Sequence, residues 1–103
     1  MTTIELIYDR NCPHAATARK VLAGALAAVG LPPRWQEWDR ESPASPPHAR
    51  WYGSPTILVD GRDVAGDESS ADANCCRVYP VEGMMRGAPP IALVVSALSG
   101  AKP

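Results

Sequence analysis

The segment "DRNCPHAATARK", beginning at residue 9, sets one thiol ahead of an alanine-rich run. Cys12 is followed by Pro13, His14 and Ala15, so a nucleophilic sulfur falls where the apolar run "IELIY" hands over to residues of helical character. The first N–H groups of a helix have no intrahelical acceptor, and together with the helix dipole they favour an anion. A thiolate is such an anion, and the thiolate is the reactive form of cysteine. A charged His14 would act in the same direction. The competing reading is a buried, unreactive cysteine; the helix start and the adjacent Pro13 favour the nucleophile.

Two further groups of residues bear on that chemistry. Gly53-Ser54-Pro55-Thr56 puts a proline at the start of an apolar β-branched run, where its missing N–H removes nothing from a strand ladder. Cys75 and Cys76 are adjacent, and neighbouring cysteines meet disulfide geometry poorly, so the two are not expected to pair with each other. Thiolates also select soft metals, which makes Cys12, Cys75 and Cys76 candidate ligands for such an ion, although no CxxC spacing is present. The plainer reading of the pair is two small buried residues under a loop. His48, between Pro47 and Ala49, reads as an exposed loop residue rather than a ligand.

These residues must be positioned by regular elements. Thr3 to Tyr8 alternates as a strand; Ala15 to Val29 repeats Ala18, Val21, Leu22, Ala25, Leu26 and Val29 at helical spacing. Pro13 suits the first turn of that helix, and Gly30, followed by Pro32 and Pro33, suits its end. A second strand is expected over Arg34 to Trp38. Pro43, Pro46 and Pro47 restrict the next segment to a short helical turn over Pro47 to Trp51. Thr56 to Val59, Asp60-Gly61 and Arg62 to Ala65 spell a hairpin. Gly66 to Pro90 reads as a polar irregular stretch, with Met84-Met85 filling a gap, and Ile91 to Leu98 as a short apolar terminal helix. Of Trp35, Trp38 and Trp51, at least two are expected to pack in or against the core, since the chain has no Phe.

The order β-α-β-(short α)-β-β-α predicts an α/β fold in one domain, residues 1–103: a central four-stranded mixed sheet with flanking helices on both faces. The stretches "YDRNCPHAATARKVL" and "GSPTILVDGRDVAG" resemble the thioredoxin superfamily, and are most similar to small bacterial thioredoxin-like or glutaredoxin-like proteins, some labelled as relatives of organomercurial (alkylmercury) lyases. The resemblance covers nearly the whole chain. It implies a thioredoxin-like fold in which Cys12 is the attacking cysteine, Pro13 and His14 the intervening pair, and Pro55 a cis proline facing them, with Ser54 and Thr56 on the substrate side. Ala15 stands where that family has its resolving cysteine or a serine. An alanine can neither attack a mixed disulfide nor hydrogen-bond a thiolate, so the resemblance implies thiol–disulfide exchange through one thiol, or with Cys75 or Cys76 as resolving thiol, since a thioredoxin-like sheet would bring the end of the hairpin near the helix start.

Two functions follow from the same residues. One is a monothiol oxidoreductase with a thiol- or disulfide-bearing protein or small-molecule thiol as partner, glutathione as co-substrate, and no required cofactor. The other is a thiol module that binds a soft metal ion or an organomercurial through Cys12, Cys75 and Cys76, and a non-catalytic member of the fold is a further alternative. Composition bounds both. Ten Lys and Arg against eleven Asp and Glu give a formal net charge of -1 with no basic block, which predicts no nucleic-acid partner. No apolar run approaches the roughly 20 residues needed to cross a bilayer. Residues 1–8 alternate instead of forming a secretory signal, so a cytoplasmic setting with reduced thiols is expected for the three cysteines.

Overall fold

The alternation of the first strand divides its side chains between two faces, and the two α-helices settle on only one of them. The computed structural model describes residues 3–66, 79–81 and 84–100. In chain order these form β1 (Ile4–Tyr8), α1 (Ala15–Ala28), β2 (Gln36–Asp39), a 3-10 turn (Pro47–Arg50), β3 (Thr56–Val59), β4 (Arg62–Asp63), β5 (Tyr79–Val81), β6 (Met84–Arg86) and α2 (Ile91–Gly100). The main sheet has the order β2-β1-β3-β4. β1 runs parallel to β2, with Tyr8 opposite Asp39, and antiparallel to β3, with Ile7 opposite Thr56. The protein is therefore α/β with a four-stranded mixed sheet.

α1 forms because its apolar spacing has a partner to bury against. Ala18, Leu22, Ala25 and Leu26 are fully buried against Ile4, Leu6, Ile57 and Val59 of the sheet, and Val94 and Leu98 of α2 complete that core. Each leucine so buried contributes roughly 1.5 to 3 kcal/mol relative to an exposed one. The helix stops at a left-handed Gly30 (φ 76°), where Gly30 N–H donates to the Ala27 carbonyl at 3.2 Å and Leu31 N–H to that of Leu26 at 2.9 Å. This paired closure occupies carbonyls that the helix end would otherwise leave open. The β3–β4 turn is equally specific: Asp60 and Gly61 take φ values of 51° and 81°, the pair of positive angles that a two-residue hairpin turn needs.

Helical segments lie on both faces as expected, but with unequal weight. α1 and α2 pack on each other on the same side, while the opposite face, with Ile7 and Leu58, is covered by Ala49 of the 3-10 turn and by Trp38 and Tyr52. The prolines at 43, 46 and 47 leave too few residues with free N–H groups to build a helix there. β2 starts at Gln36 rather than Arg34, whose N–H turns back onto the Pro32 carbonyl. The stretch read as irregular contains the β5–β6 hairpin, Tyr79 opposite Arg86. Its three-residue strands, one carrying Pro80, are too short to show an alternation. Among the described residues no helix is long and apolar enough to cross a membrane.

Candidate functional site

The turn that carries Cys12 is built around one buried aspartate. Asp9 follows β1 and is 7% exposed; its carbonyl accepts the Cys12 N–H at 2.9 Å and its Oδ1 accepts the Asn11 N–H at 3.0 Å. This is the local bonding that Asp offers a turn. The Asp9 N–H in turn donates to Ser54 Oγ at 2.8 Å in a buried hydrogen bond. Arg10 reaches the other way, pairing with Asp39 at the end of β2 at 2.9 Å. The Cys12 turn is thus moored to both strands that flank β1.

Cys12 itself is half-buried and free of any disulfide. Its carbonyl accepts the Ala15 N–H at 3.4 Å, and His14 is the capping residue of α1, its carbonyl accepting from Ala18 at 3.0 Å while its ring makes no capping hydrogen bond. Pro13 falls in the turn ahead of α1, not inside its first turn, because the helix begins at Ala15. Ala15 is buried and offers no group that can exchange or donate.

The start of β3 is held by its own side chains. Ser54 and Thr56 are fully buried: the Ser54 hydroxyl receives Asp9, and Thr56 Oγ1 donates to the Gly53 carbonyl at 2.6 Å. The Ser54–Pro55 peptide is cis, and the Pro55 carbonyl accepts the buried Tyr79 hydroxyl. Gly87, just past β6, lies so close under the His14 ring that a Cβ there would sit inside its van der Waals contact. Both ends of the β5–β6 hairpin therefore touch the two motifs, one at Pro55 and one at His14.

Electrostatics fix α1 against β2. The Arg19 guanidinium bonds Glu37 at 3.0 Å and lies over the Tyr8 ring, 5.0 Å from its centre. Burial pushes the Glu37 carboxyl up, but hydrogen bonds from Arg19 and Trp35 and the Arg19 charge outweigh it and hold Glu37 below the usual carboxylate range. Its hydrogen bond to Glu37 raises Arg19 further, against a smaller opposing effect of burial.

Of the residues read from sequence, Cys12, Pro13 and His14 share one turn, and Ser54, Pro55 and Thr56 share the strand start bonded to it through Asp9. Cys75 and Cys76 lie outside the described residues. Among the described residues no group of three His, Cys, Asp or Glu side chains could hold a metal ion. Sequence reasoning missed Asp9, whose type at a strand exit is a turn signal, and missed Tyr79 and Gly87, which carry no local signal. The reading of His48 is corrected: it is half-buried and its Nε2 donates to Glu5 Oε2 at 2.7 Å, because the short 3-10 turn lays it on the sheet. Trp35 and Trp38 pack partly buried on either face as expected, while Trp51 is 44% exposed.

The fold and site define a small α/β protein with one half-buried thiol at a strand-to-helix junction. Compared with protein-family models, curated proteins and solved structures, the chain matches none.

Proposed function

We propose that this is a thioredoxin-like, glutaredoxin-like thiol–disulfide exchange protein in which Cys12 is the sole attacking thiol of its motif. The observation that carries this reading is the buried bond from the Asp9 N–H to Ser54 Oγ, which couples the Cys12 turn to the Ser54–Pro55 strand start. It ties together two segments whose bonded residues stand 45 positions apart. Residues 53–56 are buried and the hydroxyls of Ser54 and Thr56 are engaged within the protein, so the strand start supports the Cys12 turn from beneath and leaves Cys12, half-buried, as the group that meets a partner.

In the exchange, the Cys12 thiolate attacks one sulfur of a partner disulfide; that S–S bond breaks, a mixed disulfide forms at Cys12, and the displaced thiolate leaves and takes up a proton. Ala15 cannot resolve the intermediate, so a second thiol from solution, of the glutathione class, attacks the partner's sulfur. The incoming thiol gives up its proton to water and its electron pair forms the new S–S bond, while the pair of the broken bond leaves with Cys12 as thiolate.

The test uses a Cys75→Ser, Cys76→Ser variant, which leaves Cys12 as the one thiol. Its iodoacetamide alkylation at neutral pH is expected to outpace that of free glutathione by about tenfold or more, and it should transfer glutathione from a glutathionylated peptide. Cys12→Ser should abolish transfer. Alkylation no faster than glutathione, with no transfer, would sink the reading.

A further inference from the structure

On the face of the sheet away from the helices, an apolar cleft of about 470 Å³ is lined by Glu5, Pro47, His48, Trp51, Tyr52, Leu58 and Gly61. That volume lies in the range of small-molecule sites, which pair a mostly apolar lining with a few convergent polar groups. Here the polar group is a carboxylate. Glu5 is 7% exposed, yet it projects from β1 into this face, and its Oε2 accepts both Trp38 Nε1 and His48 Nε2, each at 2.7 Å.

The second oxygen has a different place. Among the described residues Oε1 of Glu5 receives no donor, and no buried side-chain polar atom lacks a partner. Oε1 is therefore open to the cleft. A carboxylate oxygen held this way asks for a donor, and a cationic one most strongly. The walls suit the rest of such a ligand: Trp51 is 44% exposed, stands edge-on to His48 at 6.2 Å, and with Tyr52 presents aromatic surface that attracts cations. Arg40 Nε donates to the Tyr52 carbonyl at 2.6 Å, which fixes one wall from outside the cleft.

We propose that this cleft binds a small organic cation, an amidinium- or ammonium-bearing molecule with an apolar body, whose charged head bonds Glu5 Oε1 while its body rests on Leu58, Trp51 and Tyr52. Oε2 keeps its two donors, so binding requires no rearrangement of Trp38 or His48. The site is independent of Cys12.

The probe is benzamidine, with neutral benzamide as its near-isostere, titrated into the ¹⁵N-labelled full chain while the Trp38 and Trp51 indole N–H resonances are followed. Benzamidine should shift both saturably, benzamide should bind at least about tenfold more weakly, and Glu5→Gln should cost about tenfold in benzamidine affinity. Trp51→Ala, at an exposed position, should weaken binding without unfolding the chain and serves if Glu5→Gln is unstable. Cys12→Ser should bind as wild type. Equal binding of the two probes, or wild-type affinity in Glu5→Gln or Trp51→Ala, overturns the proposal.

Discussion

Asp9 and Ser54 meet in a buried 2.8 Å hydrogen bond between the backbone N–H that follows β1 and the hydroxyl that precedes Pro55. The same Asp9 holds Cys12 and Asn11 through its carbonyl and carboxylate. Ser54→Ala removes the acceptor and leaves a buried N–H unpaired, which costs about 1 to 3 kcal/mol. A lowered urea midpoint with unchanged slope is the expected result, together with slower alkylation of Cys12. Stability and thiol reactivity both at wild-type values would show that the bond does not organise the turn.

Gly87 and His14 test the contact between the β5–β6 hairpin and the start of α1. A Cβ at Gly87 would meet the ring of the exposed His14 and displace it, so Gly87→Ala should destabilise by about 0.5 to 1 kcal/mol. His14→Ala removes the obstacle, and the double variant His14→Ala, Gly87→Ala should recover most of the loss. Thermal or urea unfolding of the four proteins forms a double-mutant cycle whose coupling energy should be clearly favourable to the double variant. Additive effects would refute the contact.

The Arg19–Glu37 pair should be legible in the pH dependence of stability. Glu37 is held below its ordinary range in the folded chain, so the folded state binds fewer protons than the unfolded one as pH falls past the unfolded value. Its contribution is present above the ordinary carboxylate range and is lost as pH falls through the lower folded value. Both side chains are about a third exposed, which limits the pair to under about 1 kcal/mol. Arg19→Met should therefore cost a few tenths of a kcal/mol at neutral pH, and the difference from wild type should shrink in acid and in high salt. A gap that widens as the pH falls would contradict the assignment.

Much of the frame was readable from local patterns. Helical spacing marked α1 because its buried residues are also its periodic ones, and Gly30 ended it because only a left-handed residue fits that closure. Asp60-Gly61 announced its hairpin for the same reason. The strands β5 and β6 gave no such pattern, since three residues cannot display a period. Proline spacing predicted the short turn at Pro47 but not its effect, which is to leave one sheet face with a 3-10 turn in place of an α-helix.

The sequence by itself determined the local chemistry of this protein: a thiol before a helix, a proline opening a strand, an alanine three positions after the thiol. Those depend on neighbours within a few positions, and their rules are rules of backbone geometry and side-chain type. Only the tertiary structure decided which distant groups meet: Asp9 with Ser54, Tyr79 with Pro55, His14 with Gly87, and Glu5 with Trp38 and His48. Each pair is brought together by strand register and helix packing, quantities summed over the whole core, and so no short stretch of the chain encodes it.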